Sequence, residues 1–345
     1  MTASSNSHFA LVLPGAVARG AYEAGVIDVL VEQDLKIDRI VATSSGALNG
    51  LALAAGIRAG NSREMVDLLI KSWVDRGNWQ GSLTISPWAF LRGRGLSSHQ
   101  NLLDMMHDLV KPCTTAIKHD VELRIIITPL NGIMGKIGNR EATTYEKVMK
   151  FANEDFDTQE SLEKIFQVVS AACSFPGLFE PVDIEGLGCC VDGGAVNNAP
   201  IKYALEESDV VRVIVPVPFP AAMQPGDWKK GLGLLNHLIE ILINERLFRD
   251  LKEAHAINRK TLRLEKLCKE GVITSEQLTE IKKAIGVRKV EITQIRPREG
   301  LKASPFAGFF HKNERMRLID EGREAARETL AQIPAENPHG EQTTS

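Results

Sequence analysis

The stretch Arg39-Ile40-Val41-Ala42-Thr43-Ser44-Ser45-Gly46-Ala47-Leu48 passes from β-branched to small and then to helix-forming residues. Residues 39–42 read as a strand, 43–46 as a sharp turn, and 47–55, rich in Ala and Leu, as a helix. The chain before it repeats the pattern. An apolar run at 9–13 meets the turn-like Pro14-Gly15 and then Gly20, and Val26, Val29 and Leu30 follow at helical spacing. Two strand–turn–helix units in succession point to a parallel sheet with covering helices.

Working outward, further strands are expected at 123–128 and 210–215, both dense in the β-branched residues of buried parallel strands. Asn61 with Glu64 predicts a reciprocally capped helix; Val66, Leu69, Ile70, Trp73 and Val74 share one face of it, and Gly77 ends it. From 229 to 284 the sequence turns charged and helical. Leu235, Leu238, Ile239 and Leu242 form a stripe there, more in keeping with core than with a membrane anchor, and Thr274 with Gln277 makes a second capping pair. The alternation over 290–295 predicts a strand that returns to the sheet.

The 345 residues suit about two domains or one large one. With 43% hydrophobic and 25% charged residues the chain can fill a core, which excludes wholesale disorder and a collagen-like repeat. Lys and Arg number 41 against 44 Asp and Glu, so a net charge of −3 gives no electrostatic reason to expect nucleic acid. No apolar run approaches the roughly 20 residues of a bilayer span. Residues 1–8 are polar without a basic start, which predicts a flexible lead rather than a secretory signal. Cys113, Cys173, Cys189, Cys190 and Cys268 lack metal-ligand spacing, and the adjacent Cys189 and Cys190 are expected to pack as small apolar residues. Without repeats or a Ser/Gly linker, the expectation is one α/β domain over 9–330. Within it, 229–286 forms a helical insertion or cap, and 331–345 is a disordered tail. No metal and no cofactor is expected, and the composition reads as that of a reduced cytoplasmic protein.

Three segments carry chemistry. Ser44, with the small Ala42 and Gly46 two residues to either side, sits where a strand meets a helix. A hydroxyl there is exposed on a strained turn beside the positive end of the helix dipole. On motif grounds alone a simple N-cap serine is an equal reading. The loop Gly15-Ala16-Val17-Ala18-Arg19-Gly20 opens a helix and offers backbone N–H groups to an anion. A dinucleotide fingerprint would need Gly where Val17 stands. Asp192, followed by Gly193 and Gly194, puts a carboxylate on a turn that permits close approach, though an ordinary Asp-Gly turn is the commoner explanation.

In this order, and with Ser170-Ala171-Ala172-Cys173-Ser174-Phe175-Pro176-Gly177-Leu178-Phe179 ahead of the aspartate, the three segments resemble the patatin-like phospholipase family. The likeness runs over about 9–325 and takes in Thr128-Pro129-Leu130-Asn131 and the segment 304–311. The resemblance implies a three-layer α/β/α sandwich with a mostly parallel central sheet. It also implies a metal-free serine–aspartate dyad acting on a lipid ester, with peripheral membrane contact. Carried over, Ser44 is the nucleophile, Asp192 its base, and Gly15, Ala16, Val17, Ala18, Arg19 and Gly20 form the oxyanion hole. Ala42, Gly46, Gly193 and Gly194 support these. The chain departs from the family at Ala16 and Val17, where glycines are usual, and at Ala42, where the elbow glycine is usual. The altered loop leaves one rival, a weak or inactive lipid-binding or regulatory relative; the order Ser…Asp…His leaves a second, a conventional triad using His237 or His255, although both lie in charged helical sequence that reads as surface. Trp79, Trp88, Phe90 and Leu91 beside Arg92 and Arg94 fit an interfacial patch, but aromatics packed on the core are the favoured reading. An unperturbed aspartate titrates near ~3.9 and histidine near ~6.5, so the dyad predicts no acid limb in the histidine range.

Overall fold

The computed structural model describes residues 8–77, 99–112, 119–206, 212–219, 231–285, 289–299, 301 and 306–332. Trp79, Trp88, Phe90, Leu91, Arg92, Arg94, Cys113 and the tail from 333 lie outside them. Strands are β1 (His8–Leu13), β2 (Lys36–Ala42), β3 (Glu122–Pro129), β4 (Ile133–Ile137), β5 (Arg140–Thr144), β6 (Lys147–Phe151), β7 (Val182–Ile184), β8 (Gly188–Asp192), β9 (Arg212–Pro216) and β10 (Glu291–Ile295). Helices are α1 (Gly20–Glu32), α2 (Ser45–Ala59), α3 (Ser62–Arg76), α4 (Gln100–Leu109), α5 (Gln159–Ala172), α6 (Ile201–Leu205), α7 (Gly231–Lys269), α8 (Ser275–Ala284), α9 (Ala307–Phe310) and α10 (Lys312–Ala331).

The central sheet runs β10-β9-β1-β2-β3-β8-β7. From β10 to β3 every neighbouring pair is parallel, as the repeated strand–turn–helix units require. Past β3 the direction changes. β6 and β8 pair antiparallel with successive stretches of β3, and β7 pairs antiparallel with β8. The strands expected at 123–128 and 290–295, and the described part of the one expected at 210–215, therefore lie in the sheet as β3, β10 and β9, with residues 210 and 211 outside the described set. The Asp192 strand joins it in the antiparallel sense.

Side-chain alternation makes the three layers. Leu11, Leu13, Ile125 and Ile127 enter one core with Tyr22, Ile27, Leu51, Leu69, Phe166 and Ile319 from α1, α2, α3, α5 and α10. Ala10, Val12, Val41 and Ile126 point the other way, onto Ile201, Ala204, Leu247 and Leu251 of α6 and α7. At roughly 1.5–3 kcal/mol per large apolar side chain fully buried, the first core, with more Leu, Ile and Phe, supplies most of the stability.

Helix ends separate the two capping pairs. Thr274 and Gln277 exchange both bonds, Gln277 N–H to Thr274 Oγ1 at 3.2 Å and Thr274 N–H to Gln277 Oε1 at 2.9 Å. Asn61 does occupy the N-cap of α3, but its side chain accepts no cap bond; its Nδ2 leans on Glu64 Oε2 at 3.5 Å instead. The expected reciprocal box is absent there. Adjacent positions on β8 face opposite ways, so Cys190 is buried while Cys189 is exposed, against the expectation that both pack inside. Between β9 and β10 stand the 39-residue α7 and the shorter α8. The side chains of Leu235, Leu238, Ile239 and Leu242 lie outside the described set. Among the described residues no helix is long and apolar enough to cross a membrane.

Candidate active site

Ser44 and Asp192 leave strands on either side of β3, at the same end of the sheet. Ser44 takes φ +51°, a conformation that non-glycine residues seldom adopt and that costs on the order of 1–3 kcal/mol. Its carbonyl accepts the Ala47 N–H at 2.9 Å, so it stands at the N-cap of α2, yet its side chain makes no cap bond. The hydroxyl donates instead to Asp192 Oδ2 at 2.6 Å. A Cβ on Gly46 would lie 2.3 Å from the Leu13 carbonyl oxygen, so the helix can start this close to β1 only with glycine there. Ala42 is fully buried, and a Cβ at Gly50 would come within 3.3 Å of its methyl. The bare helix face at Gly50 thus makes room for the methyl that a glycine at 42 would lack.

Asp192 is 2% exposed. Its N–H donates to the Ser174 carbonyl at 3.1 Å, and its own carbonyl accepts from Thr128 Oγ1 at 3.0 Å. The carboxylate takes Ser44 on Oδ2 and the Gly194 N–H on Oδ1 at 2.8 Å. Burial pushes its pKa up to about 6, while the hydrogen bonds from Ser44 and Gly194 pull against that rise. Gly193 is constrained too, since a Cβ would meet the Ile126 carbonyl oxygen at 2.2 Å.

The loop 15–20 divides into used and unused donors. Gly15 N–H is taken by Asn198 Oδ1 at 3.1 Å, and Ala16 N–H by Ser45 Oγ at 3.1 Å. Arg19 N–H donates to the Ala16 carbonyl at 3.0 Å, and Gly20 N–H donates back into the Val17–Arg19 turn. None of the hydrogen bonds among the described residues uses the N–H of Val17 or Ala18, the first two residues of that turn. Of the six residues expected to line an oxyanion hole, these two are the ones whose N–H groups no such bond occupies. Val17 holds φ +55°, which is where a glycine is at ease and a β-branched residue is not. Arg19 is buried with its guanidinium 4.9 Å from the Phe219 ring, a bracing contact rather than a reacting one.

Ser44 and Val17 border a cleft of about 690 Å³, its open mouth included, walled mainly by Leu48, Trp73, Met105, Cys173, Phe179 and Phe309. Trp73 is fixed through its Nε1–H to Asn49 Oδ1 at 2.8 Å, and Asn49 Nδ2 reaches Gly20 O and Glu23 Oε2, both at 2.9 Å. Glu23 is wholly buried, which lifts its pKa well above the usual carboxylate range, while the hydrogen bond from Asn49 pulls against that rise.

Several residues of the site escaped the sequence reading. Asn198, 1% exposed, clasps Gly15 with a second bond, Nδ2 to the Gly15 carbonyl at 3.0 Å, and so joins the Asp192 loop to the first turn. Asn197-Asn198-Ala199-Pro200, two residues past the glycines, was its available signal. His99 Nε2 lies 2.8 Å from Ser174 Oγ with its ring stacked on Phe179, and burial lowers its pKa to about 4. His255 is exposed on α7, and neither it nor His237 lines the cleft. The direct Ser44–Asp192 contact leaves no gap for an interposed imidazole. Among the described residues no cluster of three or more His, Cys, Asp or Glu is arranged to hold a metal ion.

A model of patatin-like phospholipases matches residues 11–205. Uncharacterized protein YqhO of Bacillus subtilis is 24% identical over 71% of this chain and 80% of its own length. An uncharacterized NTE family protein of Mycobacterium tuberculosis is 25% identical over 66% of this chain; the match spans 33% of that longer protein. Among solved structures, VipD from Legionella pneumophila aligns over 94% of this chain and 66% of its own, at 13% identity and a TM-score of 0.41.

Proposed function

Because the chain belongs to the patatin-like phospholipase family, we propose that it is a serine acyl hydrolase that cleaves a phospholipid or lysophospholipid ester through a Ser44–Asp192 dyad. The 2.6 Å bond from Ser44 Oγ to Asp192 Oδ2, at the rim of an apolar cleft, is the observation that carries this reading. Ser44 Oγ attacks the acyl carbonyl carbon as its proton passes to Asp192 Oδ2. The developing oxyanion is met by the N–H groups of Val17 and Ala18 and the dipole of α2. Collapse expels the alcohol, which takes the proton back from Asp192 and leaves an acyl ester on Ser44. Water attacks that ester with Asp192 again accepting the proton; the fatty acid leaves and the proton returns to Ser44. A carboxylate titrating at about 6 is largely ionised at neutral pH and is a stronger base than an exposed aspartate.

The cleft's aliphatic and aromatic walls fit a fatty acyl chain. Val17, which borders Ser44 in a conformation suited to glycine, favours one second reading, a slow enzyme whose main role is lipid binding. Mass spectrometry of products from a panel of phospholipids, lysophospholipids and triacylglycerols tests both. The expected result is free fatty acid from a phospholipid or lysophospholipid, abolished by Ser44→Ala. A folded wild-type protein that releases no acyl chain from any of them would leave the binding role.

A further inference from the structure

Between β3 and β6 the chain forms a two-stranded ribbon, β4 and β5, that pairs with no other strand among the described residues. Such a ribbon is marginal in water unless something covers it. Its register puts Met134 opposite Thr143 and Ile137 opposite Arg140. Residues 134 and 137 project from opposite faces, because side chains alternate along a strand. Both are open to solvent, Met134 at 67% and Ile137 at 75%. Each face near the tip also carries a cation, Lys136 beside Met134 and Arg140 beside Ile137, against the single acid Glu141. Gly138, at φ +60°, turns the chain between the strands.

A protein groove takes up one face of a strand pair. A ribbon with a large apolar side chain on each face, and cations among them, suits a medium that surrounds it: acyl chains below, anionic headgroups around. The legs of the ribbon are tied to the site. Leu130 N–H donates to the Cys189 carbonyl at 2.9 Å, Asn197 Nδ2 donates to Glu146 Oε1 at 2.9 Å, and Thr128 Oγ1 holds the Asp192 carbonyl. We propose that the β4–β5 tip dips into the interface of an anionic lipid membrane through Met134 and Ile137 and holds the cleft at that surface. This docking role rests on the reading of the protein as a lipid acyl hydrolase.

The test uses the full chain carrying Ser44→Ala, so that binding is read without turnover, in sedimentation with vesicles of phosphatidylcholine alone or mixed equally with phosphatidylglycerol. The protein should partition onto the mixed vesicles, and Met134→Ser with Ile137→Ser should lower that partition about tenfold or more. Ile137→Trp should raise it, because indole favours the interface. In the Ser44-intact protein the double variant should lose hydrolysis of vesicle lipid but keep that of a soluble short-chain ester. A double variant that sediments like its parent overturns the docking role and leaves the hydrolase reading standing. A parent that stays in the supernatant with mixed vesicles overturns it as well. So does a parent dimer that the double variant converts to monomer, which would assign the ribbon to a second copy of the chain. Wild type that binds vesicles through the ribbon but hydrolyses no lipid would instead remove the hydrolase reading and keep the surface.

Discussion

The turns after β1 and β2 are built alike and filled differently. Each follows a parallel strand, each opens into a helix, and each holds one non-glycine residue at positive φ, Val17 at +55° and Ser44 at +51°. In the second turn the strain lifts a hydroxyl onto a carboxylate. In the first it turns two N–H groups out of the hydrogen bonding that occupies their neighbours. Strain in the second turn is matched to sequence: the bare Gly46 and Gly50 let β1 and Ala42 come close. The first turn carries the same geometry on a β-branched residue, and Asn198 holds it from outside with two hydrogen bonds. One turn is shaped by its own residues and the other is clamped by a distant loop.

The variant expected to cost most removes the carboxylate that holds the Ser44 hydroxyl, the proposed base. Asp192→Asn keeps the shape and should lower kcat roughly 10⁴-fold or more. It should also stabilise the fold, because the folded carboxyl titrates at about 6, above its unfolded range near ~3.9. A group raised in this way contributes its stability when protonated, below the unfolded pKa, and loses it as pH rises through about 6. At pH ~8 the ionised Asp192 therefore opposes folding by on the order of 2–3 kcal/mol, which the amide removes. Urea unfolding at both ends of that window checks the sign; a variant less stable than wild type at high pH would contradict it. The kcat/KM of wild type should rise through about pH 6. Burial has thus carried the aspartate into the range expected of histidine, and a pH profile alone does not separate dyad from triad.

Asn198→Ala attacks the clamp on the first turn. Without it the Gly15 N–H loses its buried acceptor, and kcat should fall about 10²-fold with KM nearly unchanged, since the proposed oxyanion donors shift while the cleft walls stay. A loss confined to KM would mean that Asn198 shapes the cleft and leaves the first turn alone.

These residues also mark how far the sequence could be read. Two strand–turn–helix units, the elbow serine and the Asp-Gly-Gly turn were legible because each is a local pattern of small residues around one polar side chain. The clamp was not, because the partners Gly15 and Asn198 stand 183 positions apart and no period or spacing connects them. The capping box at Asn61 failed for a related reason: the pattern states which bonds are available, and packing decides which form. His99 was passed over because a lone histidine carries no signal until Ser174 and Phe179 are beside it.

The mildest expected change is Val17→Gly. It removes a strained side chain at the cleft and keeps the N–H, so turnover should hold or rise. Lost apolar contacts and the freer unfolded chain offset the relieved strain, so the net stability change should stay within about 1 kcal/mol. A tenfold fall in kcat from a folded Val17→Gly protein would show that the side chain itself holds the turn in place, and the likeness between the two turns would be superficial.

The central claim is that Asp192 alone activates Ser44. Labelling rate with a fluorophosphonate, read by intact mass and peptide mapping, tests it most directly. One adduct on Ser44 is predicted, forming at the wild-type rate in His99→Ala, His237→Ala and His255→Ala, and lost in Asp192→Asn. An adduct on Ser45, or a histidine variant as unreactive as Asp192→Asn, would contradict it.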